Sequence, residues 1–146
     1  MAYKTKTAET AAWIRKELKS KYPDVKFRVH SRIFSGGDAV DVEWIDGPKE
    51  QEVRRFLSKY QYGYFDPMED LYKYSNVKKD IPQVKYVQTR RELSPQYAVE
   101  VLKRNGFDVS EEELHKTNKE VFDKYRVWTF YNLAFKLDEK WEELWR

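Results

Sequence analysis

Two runs of alternating apolar and polar residues flank a short glycine-centred turn between Val25 and Pro48, in the stretch VKFRVHSRIFSGGDAVDVEWIDGP. Alternation with a period of two is typical of half-buried strands. Gly36-Gly37 can supply the positive φ angles that a two-residue hairpin loop requires. The stretch therefore predicts an antiparallel hairpin, and such a pair of strands needs further elements packed on its apolar face to be stable.

The register of this hairpin follows if the two glycines form the loop, because the numbers of paired residues then add to 73. The predicted pairs are Val29 with Trp44, Ile33 with Val40, Arg32 with Asp41, and His30 with Glu43. The first two pairs lie on the buried face and the last two face solvent. Opposite charges across an antiparallel pair stabilise it, so the basic strand is neutralised by its neighbour and is disfavoured as a simple nucleic-acid surface.

Helices are predicted on both sides of the hairpin. Apolar residues at helical spacing indicate a first helix over residues 7–22, with Thr7 as its N-cap. A second helix is expected to begin at Asp46-Gly47-Pro48, with proline at the first helical position. A third begins at Ser94-Pro95 and ends at Gly106. The hairpin is thus expected to be covered by helices.

The region between the second and third helices is rich in aromatic residues. Asp66-Pro67 followed by Glu69 predicts a brief helix or 3₁₀ turn, and residues 84–91 predict a third strand at the edge of the sheet. Five aromatic residues could either stack nucleic-acid bases or form the lid of a thin core. They are Tyr62, Tyr64, Phe65, Tyr72 and Tyr74. The lid is the favoured interpretation.

The C-terminal part, residues 107–146, contains neither glycine nor proline. Ser110 followed by Glu113 forms a capping box and predicts a helix start. The apolar pattern beyond it predicts one long helix or two, with a change of phase near Trp128–Phe130. An amphipathic helix of this kind must bury its apolar stripe, either on the preceding domain or on a partner.

The predicted fold class is therefore α+β. We expect a small antiparallel sheet, made of the hairpin plus an edge strand, packed by helices in α-β-β-α-(α)-β-α order, with a long C-terminal helical extension. The domain prediction is an α+β domain over residues 1–106 and a helical extension over residues 107–146.

Composition excludes several kinds of function. There are no cysteines, which excludes disulfides, thiolate metal sites and a cysteine nucleophile. The two histidines, His30 and His115, belong to no catalytic motif. We therefore predict a non-enzymatic protein with no cofactor and no metal site, and keep an unrecognised enzyme as a third alternative. No 18-residue apolar run and no leader are present, so we expect a soluble, intracellular protein that does not bind a membrane.

Charge is unevenly distributed along the chain. The net charge is +3, while residues 110–146 hold nine acids and seven Lys or Arg. A basic segment, residues 73–91, is either a solvated loop with a guarded strand edge or a contact patch for phosphates or an acidic protein. The predicted partner-binding residues are those of this segment together with the C-terminal tryptophans. They are Lys73, Lys78, Lys79, Lys85, Arg90, Arg91, Trp128, Trp141 and Trp145.

Residues 7–97 resemble one of the large-polyvalent-protein-associated domains. The resemblance is carried by the Ser35-Gly36-Gly37 turn with Val40, Val42 and Trp44, by Asp46-Gly47-Pro48, and by Asp66 with Asp70-Leu71. These domains occur in proteins of phages, plasmids and conjugative elements. The resemblance brings no assigned activity. It implies a mobile-element protein that acts in the host cytoplasm, and it leaves the C-terminal extension uncovered.

Two main functional hypotheses follow. The first is a protein that binds and inhibits a host defence complex, such as an anti-CRISPR or anti-restriction protein, with a host protein or ribonucleoprotein complex as its partner. The second is a nucleic-acid-binding module that uses residues 73–91. The sequence does not fix the oligomeric state, and a homodimer through the C-terminal helix is a further alternative.

Overall fold

The computed structural model describes residues 5–139. Its helices and strands are, in chain order, α1 (Lys6–Lys21), β1 (Arg28–Phe34), β2 (Gly37–Ile45), α2 (Glu50–Leu57), β3 (Tyr64–Asp66), β4 (Leu71–Lys73), β5 (Tyr86–Glu92), α3 (Pro95–Arg104), α4 (Lys119–Tyr125) and α5 (Phe130–Glu139). Strands β1, β2 and β5 form one sheet in that order, and β3 pairs with β4 in a second sheet. The α+β fold, with β5 as an edge strand, confirms the predicted class.

The chain forms two compact units, one up to Arg91 and one from Glu92 onward. The core of the first unit is built by α1, the three-stranded sheet and α2. Its most deeply buried side chains include Ile14, Leu18, Val40, Val42, Val53, Leu57 and Tyr60. The second unit has its own core, which includes Leu102, Leu114 and Leu133. The predicted division into an α+β domain, residues 1–106, and a helical extension, residues 107–146, stays a prediction.

The N-cap of helix α1 lies two residues before the predicted N-cap. The Thr5 hydroxyl accepts a 3.1 Å hydrogen bond from the Ala8 amide, so Thr5 is the N-cap. Thr7 was the wrong choice: it lies inside the helix and is buried, and its hydroxyl donates a 2.6 Å bond to the Asp38 carboxylate. Helix α1 has 16 residues. None of the helices described between residues 5 and 139 is long and apolar enough to cross a membrane.

The hairpin exists, but its register differs from the prediction by two residues. Paired residues add to 71, so that Val29 lies opposite Val42 and His30 opposite Asp41. The two loop residues between the strands are Ser35 and Gly36, and Gly36 has a φ of 92°. The prediction failed because Gly37 begins β2 opposite Phe34 and takes no part in the loop.

A shift of two residues leaves each side chain on its predicted face but changes its neighbours. Val40, Val42 and Trp44 are buried as expected. Ile33, predicted to be buried opposite Val40, lies opposite Asp38 and is 66% exposed. Val29 is the one residue of β1 that is buried.

The solvent-facing charge pairing survives in part. Arg32 lies opposite Ala39 and reaches diagonally to the Asp41 carboxylate, with its Nε 2.6 Å from Oδ2. His30 lies opposite Asp41 and not opposite Glu43, which was the wrong partner. The basic face of β1 is thus still met by acidic residues of β2.

Two further elements differ from the sequence prediction. Helix α2 begins at Glu50 after Lys49 as N-cap, because Asp46 and Gly47 adopt left-handed φ angles of 57° and 64°. The brief helix or 3₁₀ turn predicted to begin at Asp66-Pro67 is instead the turn between β3 and β4. There the Asp66 carboxylate accepts a 2.9 Å bond from the Met68 amide, which favours a turn over a helix.

The second unit follows its sequence signals more closely. The Ser94 hydroxyl caps α3 by accepting from the Tyr97 amide, as predicted. The capping box of Ser110 and Glu113 is present, but it starts only a single 3₁₀ turn, Glu111–Glu113. Helices α4 and α5 are separate because Arg126 takes a left-handed φ of 61°. The predicted change of phase near Trp128 marks this break.

Candidate interaction surface

Four tyrosines of the first unit pack ring against ring beside the β3–β4 hairpin. The rings of Tyr62 and Tyr74 are nearly parallel, with centroids 5.5 Å apart. Tyr72 lies edge-on to both of them, at 5.8 Å and 5.3 Å, and edge-on to Tyr86 at 5.6 Å. Each such pair contributes about 0.5–1.5 kcal/mol beyond the burial of its area. The four rings therefore form a cluster that holds the hairpin in place.

The cluster extends to the loop end of the β1–β2 hairpin. Phe34 stacks on Tyr86 with a centroid distance of 6.4 Å. The Lys85 ammonium donates a 2.8 Å bond to the Gly36 carbonyl and lies 5.0 Å from the centre of the Tyr72 ring. We call the continuous set of rings the aromatic surface; it consists of Phe34, Tyr62, Tyr72, Tyr74 and Tyr86.

Close main-chain contact fixes the hairpin below these rings. Gly63 lies so near β4 that a Cβ atom there would be 2.1 Å from the Lys73 carbonyl oxygen. The Tyr72 hydroxyl donates a 2.7 Å bond to the Lys85 carbonyl. Gln61 donates from Nε2 to the Gly63 carbonyl and accepts from the Val87 amide, both at 2.8 Å. The hairpin is thus tied to the start of β5 through side chains and main chain together.

Two amide side chains hold the loop that follows the hairpin. Asn76 donates to the carbonyl oxygens of Ser58 and Gln61, both at 3.1 Å. Gln83 is buried, accepts from the Lys78 amide and donates to the Lys59 carbonyl. Composition indicated only a polar loop here, because buried amides cannot be distinguished from exposed ones without knowing the fold. These hydrogen bonds fix the main chain next to the aromatic surface.

The turn of the β3–β4 hairpin exposes large apolar side chains. Met68 is 93% exposed and Leu71 is 52% exposed. Tyr64 and Phe65 are exposed by nearly half, and Tyr74 of the neighbouring aromatic surface by 66%. We call Tyr64, Phe65, Met68 and Leu71 the hairpin tip. Contiguous exposed apolar groups of this kind mark interaction sites, and Tyr, Phe and Met are enriched in protein interfaces.

Charges around this surface cancel. Residues 62–86 contain four lysines and four acidic residues. The Lys73 ammonium lies 2.9 Å from the Glu69 carboxylate and 3.0 Å from that of Asp66. These acids raise the pKa of Lys73, and the lysine lowers the pKa of Asp66. The surface is therefore aromatic and electrically neutral, and Lys73, one of the predicted partner-binding residues, is ion-paired.

Burial affects the ionisation of two phenols of the aromatic surface. Burial raises the pKa of Tyr62 and of Tyr72, so both phenols stay neutral at neutral pH. Across residues 5–139, no group of three or more His, Asp or Glu side chains is arranged to hold a metal ion. The surface offers contact area and hydrogen-bonding hydroxyls.

The structure separates the predicted cationic residues into different roles. Lys78 and Lys79 are exposed in the loop before β5, and Arg90 is exposed on β5. Lys85 is half-buried among the aromatic rings. Arg91 is 5% exposed, and its guanidinium donates to the carbonyl oxygens of Asp46 and Gly47 at 3.1 Å and 3.2 Å. Arg91 therefore stabilises the turn after β2.

Of the three predicted tryptophans, the structure describes one. Trp128 is 60% exposed and stacks on Phe122, with ring centroids 4.0 Å apart. The Arg126 guanidinium lies 5.6 Å from the Phe122 ring. Trp141 and Trp145 lie outside the described residues. Trp128 thus remains an exposed aromatic group on the second unit.

Comparison with protein families gives one match. The model of large polyvalent protein associated domain 29 matches residues 5–94, which is more than half of the chain. The chain belongs to this family. The predicted resemblance over residues 7–97 is therefore confirmed, and the domain brings an association with phages and other mobile elements. No curated protein and no solved structure matches the chain.

The matched residues comprise the first unit and its short continuation to the N-cap of α3. Large polyvalent protein associated domain 29 thus includes the aromatic surface and the hairpin tip. Helices α3, α4 and α5 lie beyond the matched residues.

Proposed function

We propose that this chain is a non-enzymatic protein of a phage or other mobile element that binds a host defence complex and inhibits it, as an anti-CRISPR or anti-restriction protein does. The partner is a host protein or ribonucleoprotein complex in the host cytoplasm. The aromatic surface and the hairpin tip are the contact region.

The observation that supports this proposal best is the neutral, aromatic character of the exposed surface. Tyrosine side chains contribute a large share of binding energy at protein interfaces, and Tyr74 presents one that is 66% exposed. Met68 and Leu71 add flexible apolar groups beside it. A binding site for the phosphate backbone would need free cations in excess, whereas residues 62–86 carry no net charge.

The test is an infection experiment with matched variants. The chain is expressed in bacterial strains that each carry one defined defence system, either a CRISPR system targeting a given phage or a restriction system. The efficiency of plating is compared with that on strains without the system. We expect the wild-type chain to restore plating on at least one defended strain and Met68→Glu to abolish this effect. Met68 is almost fully exposed, so the substitution leaves the core intact.

Ile45→Glu is the matched control, because Ile45 is 61% exposed at the far end of β2 from the hairpin loop. We expect this variant to behave as the wild type. If the wild-type chain leaves plating unchanged on every defended strain, the inhibitor proposal is wrong. If labelled single-stranded DNA or RNA binds at about 50 mM salt and is released as salt is raised, the nucleic-acid hypothesis replaces it.

A further inference from the structure

Strand β1 forms one edge of the three-stranded sheet, because the strand order is β1-β2-β5. A guanidinium nitrogen of Arg15, on α1, donates a 2.8 Å hydrogen bond to the Val29 carbonyl. This carbonyl is therefore directed away from β2, and Val29 and Val42 form a non-hydrogen-bonded pair of the ladder.

Alternation along the strand extends this arrangement to two more residues. Since hydrogen-bonded and non-hydrogen-bonded pairs alternate, the amides and carbonyls of Ser31 and Ile33 also point to the outer edge. Both residues are exposed, Ile33 by 66%. In the part of the chain that the structure describes, no other element supplies a partner for these four main-chain groups. The outer edge of β1 is therefore open at Ser31 and Ile33.

The opposite edge of the same sheet is covered at the start of β5. The Val87 amide of β5 donates a 2.8 Å bond to the Gln61 side chain. Gln61 also forms an isolated bridge with Val84, immediately before β5. The fold thus protects one edge of its sheet with its own residues and leaves the other available for pairing with an added strand.

The charges of β1 disfavour a second copy of the chain as the added strand in the registers centred on His30, Ser31 and Arg32. If two copies paired antiparallel with Ser31 opposite Ser31, His30 would lie opposite Arg32. In the register one residue later, Arg32 would lie opposite Arg32 of the other copy. Centring one residue earlier would put His30 opposite itself and Arg28 opposite Arg32. Basic residues directly opposite one another destabilise an antiparallel pair.

We propose that the outer edge of β1 binds an extended segment of another protein, in which acidic residues alternate with apolar ones. The acids would face Arg28 and His30, because Arg32 is already bonded to Asp41 and Gln88, and the apolar residues would lie beside Ile33. Strand β2 already has this pattern on the inner edge, where the Asp41 carboxylate contacts Arg32 at 2.6 Å. This inference is independent of the proposed function, because it rests on main-chain pairing along β1 and not on the side chains of the aromatic surface or the hairpin tip.

The test uses a synthetic peptide with the sequence of Asp38–Ile45, DAVDVEWI, capped at both ends. Its binding to the full-length chain is followed by amide chemical shifts in NMR and by fluorescence anisotropy of a labelled peptide. We expect the largest shifts at residues 31–33. A peptide with Asp41→Lys and Glu43→Lys is expected to bind at least about tenfold more weakly.

Ser31→Pro blocks the edge in the protein itself. Proline is tolerated where a strand amide faces outward, so the β1–β2 ladder stays intact, and we expect at least about tenfold weaker peptide binding. A peptide N-methylated at alternate residues gives the same test without altering the protein. The proposal is overturned if the acidic peptide does not bind at about 1 mM, if Ser31→Pro and N-methylation leave its affinity unchanged, or if the shifts lie on the aromatic surface alone.

Discussion

The hydroxyl of Tyr72 donates a 2.7 Å hydrogen bond to the main-chain carbonyl of Lys85. This bond joins the β3–β4 hairpin to the residue that precedes β5, and the Lys85 ammonium lies over the same tyrosine ring. A two-stranded hairpin of three-residue strands is not stable alone. The hydrogen bond and the ring contacts of Tyr72 therefore fix the position of the aromatic surface and of the hairpin tip.

Tyr72→Phe is expected to loosen the hairpin without disturbing the ring packing. The substitution removes the donor to the Lys85 carbonyl, which costs about 1 kcal/mol. Amide hydrogen exchange of Tyr64–Lys73 should become roughly fivefold faster, the ratio that this free energy gives. Tyr64→Phe is the control, because Tyr64 is nearly half exposed. Equal exchange rates in Tyr72→Phe and wild type would show that the bond does not hold the hairpin.

Gly63→Ala is expected to displace the hairpin from the sheet. A Cβ atom at position 63 would lie 2.1 Å from the Lys73 carbonyl oxygen, a main-chain atom that cannot move alone. We expect the free energy of unfolding to fall by about 1–3 kcal/mol, the usual cost of overpacking. Chemical denaturation followed by circular dichroism measures it.

Gly37→Ala is the control for that substitution. Its added Cβ atom would meet the side-chain Cδ of Lys85 at 2.7 Å, and a flexible lysine can move aside. We expect a loss below about 1 kcal/mol for this variant. Similar losses for the two variants would contradict the close approach of Gly63 to β4.

The sequence predicted the elements of the sheet well and their register poorly. Alternation identifies both strands of the β1–β2 hairpin and the buried face of β2, because every second residue is apolar there. It cannot tell which two residues form the loop, since a shift of two keeps each side chain on its face. With Gly36-Gly37 taken as the loop, Ile33 was predicted to be buried opposite Val40; with Ser35-Gly36 as the loop, it lies opposite Asp38 and is exposed.

The candidate surface was found only in part. The tyrosines were identified from their number, and Lys73 and Lys85 from their charge. The sequence could not show that Lys73 is ion-paired or that Arg91 is buried, since both depend on residues that tertiary folding brings close. Met68 was assigned to a brief helix or 3₁₀ turn because Asp66-Pro67 is a common helix start, and in the structure it lies in the turn between β3 and β4, with Leu71 at the start of β4.

Arg91→Met is expected to lower stability. The methionine keeps most of the apolar stem but leaves the carbonyl oxygens of Asp46 and Gly47 without the guanidinium. Buried acceptors that lose a charged donor cost about 1.5–3 kcal/mol, measurable by chemical denaturation. Lys79→Met, at an exposed loop position, should change stability by less than about 0.5 kcal/mol. Equal effects of the two substitutions would contradict a structural role for Arg91.

The ion pair between Asp66 and Lys73 is expected to make the hairpin sensitive to acid. Because Lys73 lowers the pKa of Asp66 below its usual value of 3.8, the folded chain binds fewer protons here than the unfolded chain. This stabilising contribution is therefore present above about pH 4 and is lost as pH falls through the lowered pKa. A carboxyl ¹³C titration from about pH 6 to pH 2 measures the pKa of Asp66 directly.

The variant Lys73→Met tests whether the ion pair causes this pH dependence. Removing the ammonium should raise the pKa of Asp66 towards 3.8 and reduce the difference in hairpin stability between neutral and acidic pH. Glu113 is an internal reference in the same titration, because hydrogen bonds from Ser110 lower its pKa and do not involve Lys73. An Asp66 pKa that is the same in Lys73→Met and wild type would show that the ion pair at 3.0 Å does not form in solution.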